Sequence, residues 1–408
     1  MKKINLAIIG LGQRGGQTLQ NVLLKMEDVN VMVVCDLYED RIADAIKKIR
    51  EQGGDAKGFT DYKEALDQKG IDAVIVFSSW DGHSEHSMYA MEKGIPVASE
   101  VGCEYTIERC FDLVRTYERT RTPYMFMENC CYGKEEILVT SMVRKGLLGT
   151  IVHCAGKYNH DLREEVSYGI ENRHYRFNNY KFGNFENYPT HELGPIARLL
   201  NINRGNRIVS VNSISSKAVG LEEYIKEQAK TKEISEYLLN TKFSQGDVVD
   251  TIIKCSGGET IHLQLDTTIP GYYSRGFTVK GTKGQYEGNS NSFFIEGTHE
   301  DAFLDAGEYL KKIIGNATEY EEHLPDFWKY ATQETINAGH GGMDYFAYRA
   351  FIDAVKNHTK MPIDVYDGAT WMAVSALSAN SIALGGQSQV MPDFTNGKWM
   401  ITEPEDVF

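Results

Sequence analysis

The N-terminal stretch Ile4-Asn5-Leu6-Ala7-Ile8-Ile9-Gly10-Leu11-Gly12-Gln13-Arg14-Gly15 decides the fold. Leu6 to Ile9 is a short apolar run that ends in a GxGxxG turn. Behind the turn, Leu19, Val22, Leu23 and Met26 recur at three- and four-residue spacing, which predicts a helix with one apolar stripe. Val31 to Cys35 is a second all-apolar run, as expected of a strand buried on both faces of a parallel sheet, and Asp36 follows it. Strand, glycine turn, helix, strand and acid, in that order, predict a dinucleotide site. Gly10 permits the tight turn, Gly12 lets the backbone approach a pyrophosphate, and Gly15 allows the helix to pack closely on the strand. The helix N-terminus adds unpaired N–H groups and a positive dipole. Asp36 is placed to accept hydrogen bonds from ribose hydroxyls and to repel a 2′-phosphate. Leu37 and Tyr38 follow it rather than an arginine, so the expected cofactor is NAD and not NADP.

The same rhythm continues outward. Ile71 to Phe77, Pro96 to Glu100 and Tyr124 to Glu128 read as further strands, with a helix marked by Ile107, Cys110, Phe111, Val114 and Tyr117. Ligands of such sheets sit beyond the carboxyl ends of the strands, which puts Ser79, Trp80, His83, Glu100, Val101 and Asn129 along the cofactor's edge. After a helix around Glu135 to Leu147 the period changes. Ile151 to Tyr158, Arg207 to Ala218, Asp247 to Cys255, Thr260 to Thr268 and Gly276 to Lys280 alternate as strands, with turn signals such as Ser256-Gly257-Gly258. The 408 residues therefore divide into a doubly wound Rossmann domain over 1–131 and an α+β domain with a large, mostly antiparallel sheet over 132–408. The Glu- and Lys-rich stretch from Glu222 to Lys242 reads as a solvated helix with its loop.

Lys and Arg total 43 against 57 Asp and Glu, a formal charge of -14, which disfavours nucleic acid and anionic membranes as partners. Apolar residues at 42% and charged residues at 25% are ordinary for a globular chain and argue against disorder. Seven cysteines without a CxxC pair suit free thiols in a reducing compartment. The first apolar run is too brief for a signal peptide, and no apolar stretch reaches the length of a membrane span, so a cytoplasmic protein is expected.

Two polar constellations interrupt the second half. In Tyr158-Asn159-His160-Asp161-Leu162-Arg163 an alternating strand breaks into polar residues, and Tyr158 shares a face with Val152, Cys154 and Gly156. In Asn187-Tyr188-Pro189-Thr190-His191-Glu192-Leu193-Gly194-Pro195, Pro189 suits a first helical turn and sets His191 near a helix N-terminus. Positive dipole there disfavours the imidazolium, so His191 is either a general base or a histidine satisfied within a helix cap. His153, His160, His191 and Glu192 form no ligand triad at these spacings, and no catalytic metal is expected.

These segments together resemble glycoside hydrolase family 109, the NAD-dependent α-N-acetylgalactosaminidases, within the glucose–fructose oxidoreductase and inositol dehydrogenase superfamily. The resemblance runs through Ser79-Trp80-Asp81-Gly82-His83, Met127-Glu128-Asn129-Cys130-Cys131-Tyr132, Tyr188-Pro189-Thr190-His191, Asn201-Ile202-Asn203-Arg204-Gly205 and Gly339-His340-Gly341-Gly342-Met343-Asp344. It implies that Gln13, Arg14, Asp36, Trp80 to His83, Glu100, Val101 and Asn129 contact a resident NAD. It implies substrate contacts from Tyr158, Arg176, Tyr188 and Tyr273, with Tyr273 preferred to Tyr272 for the Ser-Arg that follows. The implied chemistry oxidises the sugar at C3, eliminates the aglycone across C1–C2, adds water and reduces C3 again, with His191, Tyr188 and Tyr158 handling protons. Two departures stand out. Glu100-Val101-Gly102 replaces the Glu-Lys-Pro of superfamily dehydrogenases, and Glu192 replaces the glycine that usually follows the family's Tyr-Pro-Thr-His. An NAD-dependent sugar dehydrogenase and a non-catalytic sugar-binding protein are the competing expectations, and a homo-oligomer is expected by analogy.

Overall fold

The computed structural model describes residues 3–299 and 306–407. The described residues divide into two compact units, one of 3–132, 331–373 and 405–407, the other of 133–299, 306–330 and 374–404.

The first unit is built on a six-stranded parallel sheet. Its strands are β1 (Ile4–Ile9), β2 (Val29–Cys35), β3 (Lys57–Phe59), β4 (Ala73–Val76), β5 (Val97–Ser99) and β6 (Tyr124–Phe126), in the order β3-β2-β1-β4-β5-β6. That is the doubly wound order, reversing between β1 and β4, where the sheet opens a crevice for a ligand. Leu6 and Ile8 on β1 and all four residues of β4 are fully buried, which is why these segments read as unbroken apolar runs. The helices Gln13–Asn21, Glu39–Glu51, Trp80–Glu92 and Ile107–Thr120 connect the strands. One expectation needs correction. The stripe Leu19, Val22, Leu23 and Met26 does not lie on one helix: the helix ends at Asn21, Val22 turns out at φ -124, and a 3-10 turn Leu23–Lys25 follows. All four side chains are still buried, so the apolar pattern held while the backbone tightened. The short edge strand Lys57–Phe59 was not expected; two of its three residues are exposed and carry no apolar signal.

The second unit holds an eight-stranded mixed sheet. Its strands are β7 (Ile151–Asn159), β8 (Ile208–Ser215), β9 (Val248–Cys255), β10 (Thr260–Asp266), β11 (Thr278–Gly281), β12 (Gly284–Glu287), β13 (Ser292–Ile295) and β14 (Gln389–Val390). The order is β13-β12-β11-β7-β10-β9-β8-β14. Every neighbouring pair is antiparallel except β7 with β10, where Leu265 stands opposite Tyr158. The strand expected from Gly276 begins at Thr278, because Gly276 takes φ +51, which no strand residue adopts. One face of the sheet is apolar and buried through Cys154, Val211, Val249, Ile253, Ile261 and Leu263; the other leaves Val152, Ile214 and Ile252 exposed. Val152 therefore departs from its expected inward face, while Cys154, Gly156 and Tyr158 keep it.

The helix Thr190–Leu199 covers the buried face at Gly156. A Cβ added at Gly156 would stand 2.6 Å from Glu192 Cβ, closer than packed carbons come, so glycine lets this helix lie on β7. The polypeptide thus delivers Tyr188 and His191 to the strand that carries Tyr158.

Candidate functional site

In the first unit, Gly10 sits at φ +98, and a Cβ there would lie 2.5 Å from the Phe77 carbonyl carbon. A Cβ on Gly15 would lie 2.2 Å from the Gly10 carbonyl oxygen, so the turn is closed to any side chain at both positions. Gly12 differs. Its nearest neighbour would be Arg41 Nη1 at 3.6 Å, so the space beside it is open. Gly12 is also the N-cap of the helix Gln13–Asn21, which has no side-chain cap. A tight turn, an open cradle and an uncapped helix N-terminus fit a pyrophosphate. Asp36 is buried and accepts the Leu11 amide at 2.7 Å and the Tyr38 amide at 3.0 Å, which fixes the carboxylate at the end of β2. Arg41, five residues on, brings its guanidinium to 3.7 Å from Asp36 and over the Tyr38 ring at 4.7 Å. Local sequence gave no arginine beside the acid; one helical turn supplies it.

Arg14 is held from both sides. Its Nε and Nη2 donate to Glu100 Oε1 at 3.1 and 2.8 Å, and its Nη1 and Nη2 donate to Asp344 Oδ2 and Oδ1 at 2.6 and 2.9 Å. Asn129 Nδ2 donates to Asp344 Oδ1 at 2.7 Å, His340 Nδ1 lies 2.8 Å from Oδ2, and the buried Tyr348 hydroxyl donates to Glu100 at 2.6 Å. Burial alone would raise the Asp344 carboxyl, but Arg14 and the His340 hydrogen bond outweigh it and hold it well below the usual range. The network joins three expected residues (Arg14, Glu100 and Asn129) through three unexpected ones (His340, Asp344 and Tyr348). Gly339, Gly341 and Gly342, all at positive φ, mark the turn that brings His340 and Asp344 there, and a Cβ on Gly339 would stand 2.5 Å from Asp344 Oδ2.

Ser79 stands at the N-cap position of the helix Trp80–Glu92 without a side-chain capping bond, and the first turn of that helix buries Trp80 and His83. His83 Nε2 bonds the Ser78 carbonyl at 2.8 Å, and burial pushes the imidazole down to about 4, so it is neutral at pH 7. Its Nδ1 is buried with no hydrogen-bond partner among the described residues. A Cβ on Gly102 would meet His83 Nδ1 and Trp80 Cδ1 at 2.9 Å each, which explains why no proline stands there. Val101 is buried and Gln13 is exposed.

In the second unit, five expected residues come together. The Tyr158 and Tyr188 rings lie 4.6 Å apart, and His191 lies 4.7 Å from Tyr188 and 5.7 Å from Tyr158. Tyr188 Oη and His191 Nε2 are 3.4 Å apart. His191 occupies the first turn of the helix Thr190–Leu199, next to Thr190. Arg176 stands over the Tyr188 ring at 5.3 Å and pairs with Glu165 at 2.7 Å. Tyr273 packs edge-on to Tyr158 at 6.4 Å, whereas Tyr272 is 75% exposed. His160, weighed in the sequence only as a metal ligand, joins the group: its Nδ1 is 2.9 Å from Tyr158 Oη. The two-residue spacing was the available signal: residues i and i+2 share a face of a strand, and His160 follows directly on β7, its amide bonded to the Asp266 carbonyl of β10. Burial raises the Tyr158 phenol well above its usual value, with Arg176 opposing.

Residues 132–401 match the family model for the glycosyl hydrolase 109 C-terminal domain, and residues 4–127 match that of the oxidoreductase family with an NAD-binding Rossmann fold. A glycosyl hydrolase family 109 protein of Stenotrophomonas maltophilia is 38% identical over 428 residues, spanning 99% of this chain and 91% of that protein. An alpha-N-acetylgalactosaminidase of Tannerella forsythia is 32% identical, spanning 98% and 88%. Among solved structures, levoglucosan dehydrogenase in complex with NADH and levoglucosan superposes with a TM-score of 0.70 at 16% identity, covering 96% of this chain and all (100%) of that one. The myo-inositol 2-dehydrogenase of Lactobacillus plantarum gives 0.64 at 17%, with 96% and 100% covered. These dehydrogenases share the fold. No helix among the described residues is long and apolar enough to cross a membrane. With its NAD-binding Rossmann domain and its matching C-terminal domain, the chain belongs to glycosyl hydrolase family 109 and is an NAD-binding glycosidase.

Proposed function

We propose that the chain hydrolyses α-N-acetylgalactosaminides, with residues 1–131, joined by 331–373 of the same unit, holding NAD and the rest of 132–408 holding the sugar. The substrate comes from relatives named for that activity. Gly10, Gly12, Gln13, Arg14, Gly15, Asp36, Ser79, Trp80, His83, Glu100, Val101 and Asn129 would hold the dinucleotide. When bound, NAD supplies a reversible two-electron oxidation of the C3 carbinol, whose transient ketone acidifies the C2 hydrogen.

The observation that carries the rest is the Tyr158, Tyr188 and His191 cluster with Arg176 above it. His191 takes the C3 hydroxyl proton, with Tyr188 orienting its Nε2. Tyr158 moves the C2 proton. Arg176 and Tyr273 bind the sugar, and the Arg176 cation offsets negative charge arising on the phenols. A cytoplasmic setting suits the seven buried free thiols.

The test is incubation with a panel of aryl hexosides in deuterated water, without added NAD. Release of aglycone with deuterium at C2 and no accumulated NADH is expected. Hydrolysis with neither exchange nor an isotope effect at C2 would mean direct displacement, and stoichiometric NADH would mean a dehydrogenase.

A further inference from the structure

A neutral phenol cannot accept a proton. Burial holds the Tyr158 hydroxyl protonated at neutral pH, and Arg176 only partly opposes this. If Tyr158 is to take hydrogen from C2, another group must take hydrogen from Tyr158. His160 Nδ1 lies 2.9 Å from Tyr158 Oη, and the two rings meet edge to face at 5.6 Å. The His160 backbone is pinned just beyond β7, its amide donating to the Asp266 carbonyl at 3.0 Å. Its ring also packs against Tyr273 at 5.3 Å, and the residue is half-buried, so solvent reaches it. The charged and titratable groups facing it are Arg176, Glu165, His191 and Asp161. Burial, then Arg176, hold the imidazole below its ordinary value, so at neutral pH it is an acceptor.

We infer that His160 is the proton acceptor behind Tyr158, the pair acting as one relay at C2. The inference rests on the elimination chemistry proposed above. As the C2–H bond breaks, its proton goes to Tyr158 Oη while the phenolic proton passes to His160 Nδ1. The electron pair left at C2 forms the C1–C2 double bond, and the aglycone departs with its oxygen. Water then adds: its hydroxyl goes to C1 and its proton to the aglycone oxygen. Tyr158 returns a proton to C2 and recovers one from His160, so both side chains end as they began. His160 acts through Tyr158 and is a positioning and proton-accepting residue, not one that touches the sugar.

The experiment compares wild type with His160→Gln, and with His160→Asn in case the first variant folds poorly. Both are verified by melting temperature and NAD content, and assayed on the best aryl hexoside in protiated and C2-deuterated forms. A glutamine keeps a hydrogen bond but cannot take the proton. Expected is a fall in kcat of about 100-fold with KM little changed. The isotope effect from C2 deuterium should rise. Activity of the variant should also climb tenfold per pH unit above neutrality as the phenol ionises unaided, where wild type is level. A variant with near-normal kcat, or one that is slow with an unchanged isotope effect and no climb with pH, overturns the relay. If wild type itself shows neither a C2 isotope effect nor exchange of the C2 hydrogen with solvent, elimination is wrong and the relay falls with it. That failure is visible without any variant.

Discussion

Replacing Asp344 with alanine removes a carboxylate that is 2% exposed and engaged by Arg14 twice, by Asn129 and by His340. Taking away one partner of a buried ion pair costs about 3–5 kcal/mol. Arg14 keeps Glu100 and its side chain is 30% exposed, so the low end, about 3 kcal/mol, applies. For a cooperative unit of this size that lowers Tm by roughly 6–12 °C. The pH dependence has a definite sign. The folded carboxyl is held below its ordinary value, so its contribution is complete above the unfolded pKa of about 4 and is lost as pH falls towards the depressed folded value. The gap between wild type and variant should be level from neutral pH down to mildly acidic pH and close only below about pH 4. Calorimetry with and without added NAD, together with the dinucleotide released on denaturation, measures both effects. Asp344→Ala should emerge from purification largely stripped of NAD, while Asp344→Asn, which preserves the shape, should fall between. An alanine variant that melts within about 1 °C of wild type and retains its full dinucleotide would refute the idea that Asp344 fixes Arg14 and Asn129 for the cofactor.

Three further outcomes are expected. His191→Ala should lower kcat by about 10²–10⁴-fold while NAD content stays unchanged; a near-normal rate removes His191 from proton transfer. Asp36→Ala leaves Arg41 in place without its carboxylate, so NAD should weaken and NADP strengthen by about tenfold each in a fluorescence titration, and an unaltered preference would count against both assignments. Glu186 is 1% exposed and burial pushes its carboxyl up to about 8. Wild type therefore loses stability as pH rises from about 4 to 8, and Glu186→Gln should gain on it across that range in pH-dependent melting.

The glycine turn and its acid were legible because their parts are local. Gly10, Gly12, Gly15 and Asp36 declare themselves by spacing, since each glycine answers to a steric demand within one supersecondary unit. Asp344 and Tyr348 were not, because more than 240 residues separate Glu100 from its Tyr348 partner and no periodicity spans that distance. Only the glycines around His340, needed for positive φ, hinted at a built turn. In the second unit the inward face of Tyr158 followed from alternation, and the proline before Thr190 announced the helix that carries His191. The proximity of His191 to Tyr158 depends on Gly156, whose missing side chain admits a helix 34 residues away in sequence; alternation does not encode that. Strands β12 and β13 were missed because four-residue segments with polar turns are held by their neighbours more than by their own composition.

Strand β7 has a consequence for how the chain is made. Both of its ladder partners, β10 and β11, lie more than 100 residues downstream, and the β10 pairing is the sheet's one parallel match. During synthesis this strand emerges early and waits with two unsatisfied edges until residues beyond Thr260 have left the ribosome. Such an interval is when nascent chains stick to one another or are taken up by chaperones. The tyrosine proposed to move the C2 proton therefore sits on the segment whose docking must come late, and a ribosome pausing after β9 would prolong its exposure.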